Sequence, residues 1–152
     1  MGSQRDPGAS GRGDAPPPPM DARRLLGEAR VARLATVSGA GIPHLVPVTF
    51  ALAGDTIVTA VDHKPKSTRR LRRLTDIAEN PNVCVLADHY SDDWDELWWV
   101  RADGFATVVE DDAERAAALA PLVAKYAQYR DRPPAGPVIL IQVTAWRSWS
   151  YT

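Results

Sequence analysis

The sequence predicts a mainly β fold with added helices, an α+β arrangement of six strands in an antiparallel barrel with about three helices at its ends and flanks. Three observations predict it. The first three strand-like segments follow one another through SGAG (38–41) and GD (54–55), connections too short for a crossover, so a doubly wound parallel sheet is excluded. Alternating, β-branched stretches recur along the chain, and helical periodicity interrupts them only in a few places. At 152 residues and 45% hydrophobic content, the chain suits one domain with a single substantial core.

Residues 1–19 are Gly, Pro, Ser and charge with little to bury, a disordered tail, and Met20 behind it is a candidate start codon. The ordered domain is expected over 20–152. Asp21 caps a first helix whose stripe is Leu25, Leu26 and Ala29, with Arg23, Arg24 and Glu28 outside it. VARLATV (31–37) alternates as a strand. IPHLVPVTFALA (42–53) is a second, longer strand, and its prolines place it at a sheet edge or a bulge. TIVTAV (56–61) is a β-branched third. A helix is expected from Ser67 to Glu79, with Leu71, Leu74, Ile77 and Ala78 on its buried face and Asn80-Pro81 ending it. VCVLA (83–87) and LWWVRADGFATVVE (97–110) are the fourth and fifth strands. Asp111 or Asp112 starts an alanine-rich helix to about Tyr129, with Leu119, Leu122, Val123 and Tyr126 inward. VILIQVTAW (138–146) is the sixth strand.

Several function classes are excluded. A net charge of −1 does not suit a polyanion binder acting through overall charge. The one cysteine, Cys84, sits in an apolar stretch; it permits no intramolecular disulfide and reads as a buried structural thiol in a reducing compartment. No apolar run approaches the roughly 20 residues of a membrane span, and the N-terminus has no signal-like apolar region, so the expected location is the cytoplasm. Gly39-Ala40-Gly41 lacks the third glycine and the helix of a dinucleotide fingerprint. His44, His63 and His89 lack metal-ligand spacing, and Asp92, Asp93, Asp95 and Glu96 form a solvated acidic loop rather than a cation loop. No nucleophile–base pair stands out. An enzyme built from these residues would leave its chemistry to a cofactor.

The basic run HKPKSTRRLRRL (63–74) is the most informative stretch. On a helical wheel Arg72 stands four residues before Asp76, with Glu79 on the same side, so part of the charge is locally compensated. Arg70 and Arg73 flank the apolar stripe. A nucleic-acid-binding face would be uncompensated, so nucleic acid is not an expected partner. Lys64 and Lys66 precede the expected helix N-terminus, with Ser67 and Thr68 as capping candidates. Free N–H groups, two ammonium groups and two hydroxyls there suit a small phosphate, and Arg70 one turn on adds a guanidinium fork. An ordinary capped helix with solvated lysines is the alternative.

The succession IPHLVPVTFAL, TIVTAVD, KPKSTRRLRRLTDIAENPNVCVLAD resembles the pyridoxamine phosphate oxidase-like (PPOX class) split β-barrel family, whose members bind FMN or, in one branch, the deazaflavin coenzyme F420. DDWDELWWVRADGFATVVED and VILIQVTAWRSWSY look like the F420-dependent branch. The resemblance implies an FMN-binding split barrel over 20–152 and a homodimer with each cofactor in a groove between subunits. It implies that Lys64, Lys66, Ser67 and Thr68 face the cofactor phosphate. Val46, Pro47 and Val48, with Thr59, Ala60 and Val61, would run along the ring system through backbone groups. The FMN branch places its basic residues nearer the Asn-Pro, which makes Arg70 and Arg73 rivals for the phosphate. The implied activity is hydride transfer between F420 and a small organic substrate. An FMN-dependent oxidase or reductase is one alternative, and a non-catalytic flavin or haem carrier is another. Adjacent on a strand, Trp98 and Trp99 face opposite sides, one filling the barrel. Trp146 and Trp149 line the pocket mouth or cover the barrel end. Arg101 shares a face with Trp99 and is available to a neighbouring acidic group.

Overall fold

The computed structural model describes residues 19–62 and 71–151. Helix α1 (Pro19–Glu28) leads into β1 (Ala32–Val37), β2 (Pro43–Val48), β3 (Ala51–Ala53) and β4 (Thr56–Ala60). Helix α2 (Arg72–Glu79) precedes β5 (Asn82–His89). A short 3-10 turn (Trp94–Glu96) then enters β6 (Trp98–Val109). Helices α3 (Asp112–Lys125) and α4 (Ala127–Asp131) lead to β7 (Val138–Ser150). Among the described residues the fold is mainly antiparallel β, as the sequence implied, but with four helices where about three were expected and seven strands in place of six.

The extra strand arises because the expected strand 42–53 divides at Thr49–Phe50. Residues beyond the division leave β1 and pair with β4 instead. The Phe50 N–H goes to the Tyr126 hydroxyl (3.2 Å), and the Thr49 carbonyl accepts from the Thr59 hydroxyl (2.7 Å). Strand order is β2-β1-β5-β6-β7-β4-β3, every pair antiparallel. The two edge strands are therefore consecutive in sequence, joined only by Thr49–Phe50. So short a join forces the sheet to curl until its edges meet, which makes it a split barrel. Gly41 (φ 83°) and Gly54 (φ 62°) supply the left-handed backbone in the two tight turns.

Inside the barrel lie Leu26, Leu34, Phe50, Ile57, Val100 and Ile141, all at most 1% exposed. A second cluster, with Leu119, Leu122 and Tyr126, fixes α3 over Ala51, Val58 and Val138. The β6–β7 ladder shifts register at Asp103/Gly104, where an added Cβ on Gly104 would overlap the Gln142 carbonyl. Only glycine fits this bulge. Among the described residues, no helix is long and apolar enough to cross a membrane.

The long helix expected to reach Tyr129 breaks at Tyr126, which is extended (φ −112°, ψ 120°). There the Tyr126 hydroxyl serves Phe50 and the Arg30 carbonyl (2.8 Å), while Arg130 covers the orphan carbonyls of Val123 and Ala124. Helix α2 begins at Arg72 with Leu71 as its cap, extended and without a side-chain bond; the capping candidates Ser67 and Thr68 lie outside the described residues. Leu74 and Ile77 are buried as expected, but Leu71 is 41% exposed and Ala78 is also exposed. Asp76 turns inward (1% exposed) to accept from Thr36 (2.8 Å), rather than pairing with Arg72 on the surface.

Candidate functional site

A cavity of about 300 Å³ opens at the seam where β2 ends and β4 ends. Pro47, Val48 and Thr49 form one wall, and Thr59, Ala60 and Asp62 the other. Val31, Arg73 and Tyr129 complete it from three further segments. The seam creates the opening: two strands that separate to pair with different partners leave a gap between them. A larger, shallower cavity of about 510 Å³ lies between α3 and the β4–β7 surface, but Glu114 is its one charged side chain and its floor is apolar.

Of the residues expected along a cofactor ring, the structure brings four to this cavity: Pro47, Val48, Thr59 and Ala60. Val46 and Val61 turn elsewhere. Val46 packs against the core, and buried Val61 exchanges backbone bonds with the loop at 136–137 (2.9 Å each). Lys64, Lys66, Ser67, Thr68 and Arg70 lie outside the described residues. Arg73, the rival phosphate residue, lines the cavity.

Sequence reasoning missed Thr49, Asp62 and Tyr129, which form a connected set. Tyr129 donates to Asp62 Oδ1 (3.2 Å), and its oxygen lies 2.6 Å from Thr49 Oγ1. Burial holds the Tyr129 hydroxyl above its usual pKa, as does the Asp62 carboxylate, against the lowering effect of the Thr49 bond. The hydroxyl therefore stays protonated through the neutral range. Arg73 is half-buried, and that desolvation pulls its pKa down, with nearby Asp62 opposing. Among the described residues its guanidinium has no hydrogen bond or salt bridge. A partly desolvated guanidinium with open donors, on a cavity wall, is a ready donor to an anionic or carbonyl oxygen. The one signal for these residues in sequence is position: Asp62 directly follows the third expected strand and Tyr129 ends the last expected helix.

The tryptophans divide as their spacing requires. Trp98 packs on the barrel core and stacks on His89 (6.4 Å, 25°), while Trp99 faces outward beside Trp149 in the β6–β7 register. Trp146 packs on the core under the Arg23 guanidinium (5.6 Å). Trp149 meets Tyr151 edge-on (6.4 Å, 74°). None of the four lines the cavity. Arg101 is engaged by Asp103 through two bonds of 2.8 and 3.3 Å. Cys84 is half-buried, and burial together with the Asp103 carboxylate raises its pKa, so its thiol is a poor nucleophile. Among the described residues, no three His, Cys, Asp or Glu side chains converge as a metal ligand set.

Known structures share this architecture. The conserved hypothetical protein Rv2991 from Mycobacterium tuberculosis superposes with a TM-score of 0.71 at 21% identity, covering 91% of this chain and 88% of that one. The FAD-binding protein from Mycobacterium smegmatis gives 0.62 at 19% identity, covering 90% and 97%. The haem storage protein HutZ from Vibrio cholerae gives 0.64 at 17% identity, covering 86% and 90%. At these identities the likeness establishes the fold. No curated protein sequence matches the chain. The family model described as pyridoxamine 5'-phosphate oxidase matches residues 19–150, nearly every residue from α1 to the end of β7, and the chain belongs to that family.

Proposed function

We propose that this protein is an F420-dependent oxidoreductase, acting as a cytoplasmic homodimer on a small organic substrate with an activated C=C or C=N bond. The observation that carries the reading is the seam cavity, with strand backbone on two sides and the open Arg73 guanidinium on a third. A flat ring can lie along the backbone of Pro47–Val48 and Thr59–Ala60, and Arg73 can hold an anionic oxygen of the same molecule. When bound, the reduced deazaflavin supplies a hydride. The protein's part is to anchor the cofactor, keep one ring face accessible and exclude bulk water. Segments 92–111 and 138–151, which resemble the F420 branch, favour the deazaflavin over FMN.

A second copy is favoured by the outer sheet face. Leu45 on β2 and Phe105 on β6 share it and are 66% and 50% exposed. Size-exclusion chromatography with light scattering should give twice the chain mass; a monomer at micromolar concentration removes the homodimer from the proposal.

The cofactor is tested by titrating apo-protein into F420 and into FMN and following fluorescence. Saturable F420 binding, tighter than that of FMN, is expected. Saturable FMN binding without F420 binding moves the protein to the FMN-dependent oxidases or reductases. The names of the FAD-binding and haem storage neighbours make carriers the remaining rivals. A Soret band on haem addition, with neither F420 nor FMN bound, assigns a haem carrier.

A further inference from the structure

The seam cavity contains a carboxylate that anchoring an anionic cofactor does not require, and that would repel a phosphate placed beside it. Asp62 is held unusually firmly for an exposed residue that follows a strand. Its carbonyl accepts the Ala135 N–H (3.1 Å), and the preceding Val61 is bonded to Pro137 and Gly136 (2.9 Å each). Its Oδ1 accepts from Tyr129 (3.2 Å), whose oxygen is held in turn by Thr49 (2.6 Å). Thr49 itself is tied to β4 through the Thr59 hydroxyl (2.7 Å). Tyr129 of α4 alone reaches this oxygen, backed by Thr49 just after β2 and, through Thr49, by Thr59 of β4, while among the described residues the other oxygen has no partner. Arg73 lies close enough to sense the Asp62 charge, yet the two do not form a salt bridge. Two opposite charges on the walls of one small cavity, held apart, leave room for a ligand that satisfies both.

We infer that Asp62 is a specificity-determining residue of this cavity: its second carboxylate oxygen accepts a hydrogen bond from an uncharged N–H or O–H group of the bound cofactor, with Tyr129 and Thr49 aiming it. The inference rests on the cofactor reading above. It gives the ligand a direction. The anionic part lies on the Arg73 side, and the neutral donor-bearing part lies against Asp62. A ligand with a second anion at that end is rejected by charge repulsion and by desolvation of the carboxylate.

The test compares wild type, Asp62→Ala, Asp62→Asn and Tyr129→Phe in fluorescence titrations with F420 and FMN, alongside thermal unfolding of each variant. Turnover is not needed. Asp62→Ala is expected to weaken the bound cofactor about tenfold to a hundredfold, as loss of a charge-assisted hydrogen bond does. Asp62→Asn keeps an acceptor oxygen and the side-chain volume, so it should lose less, and it keeps the test usable if the alanine variant does not fold. Tyr129→Phe leaves the carboxylate in place but unaimed and should also lose less than Asp62→Ala. Equal losses in Asp62→Ala and Tyr129→Phe would mean that Asp62 acts only by holding Tyr129, and would overturn the inference. Wild-type affinity in Asp62→Ala overturns it as well. If wild type binds neither cofactor, the cofactor reading itself fails, an outcome distinct from a bound cofactor indifferent to Asp62.

Discussion

Thr36 on β1 donates its hydroxyl to the Asp76 carboxylate of α2 across 2.8 Å, and both residues are at most 3% exposed. This contact ties the helix that carries Arg73 to the sheet. Thr36→Val preserves shape and removes the donor, leaving a buried carboxylate oxygen unpaired. The expected cost is about 1.5–3 kcal/mol. Urea unfolding should show a lower midpoint with an unchanged slope.

Arg73 offers a different outcome. Its guanidinium makes no hydrogen bond among the described residues, so Arg73→Gln should change the unfolding temperature little. Cofactor affinity should fall by about tenfold or more. Equal affinity in this variant would shift the anion site to the residues at 63–70.

Gly104 tests the bulge. Any Cβ there meets the Gln142 carbonyl of the paired strand, and neither backbone can yield without breaking the β6–β7 ladder. Gly104→Ala should destabilise the protein by about 3 kcal/mol or more, beyond the usual range for one added methyl. Chemical denaturation or the soluble yield will report it.

Lys125 gives a pH signature. Its ammonium donates to the Ala29 carbonyl (2.6 Å) and lies 3.9 Å from the centre of the Phe50 ring. Burial, with Arg30 nearby, lowers its pKa from 10.5 to about 8. In the folded state it loses its proton near pH 8, whereas unfolded it holds it to about 10.5. Between those values the unfolded chain binds more protons, so this group makes stability rise with pH; below 8 its effect is constant. Tyr126, Tyr129 and Cys84, all with raised pKa values, act in the opposite sense at the alkaline end. The measurement is therefore a difference. Lys125→Met should gain most relative to wild type below pH 8, and that advantage should shrink toward pH 10. A pH-independent difference would show that the lysine titrates normally.

What the sequence made legible was local. Tight turns at 38–41 and 54–55 gave the antiparallel order, and helical periodicity located α1, α2 and α3. What it hid depends on partners distant in the chain. Nothing near Phe50 announces that its N–H will be taken by Tyr126, 76 positions away, so 42–53 reads as one strand. The four-residue spacing from Arg72 favours a surface ion pair for Asp76, yet a threonine 40 positions back captures it inside. Half of the site was readable for the same reason. Pro47, Val48, Thr59 and Ala60 were implied by the family resemblance of local strand segments, whereas Asp62 and Tyr129 meet only once the sheet has curled.

The prolines of β2 have a consequence for how this barrel can meet other proteins. Pro43, Leu45 and Pro47 present their backbone nitrogens in one row, and β2 stays paired with β1 along its whole length. The row directed away from β1 therefore has a single N–H, that of Leu45, between two sites with none. An incoming strand finds almost no donors there, and β3, the opposite edge, offers only three residues. Fibrous stacking by strand addition is closed off at both ends of the sheet. This favours association of copies through the sheet face, and a two-fold contact of that kind closes on itself rather than growing.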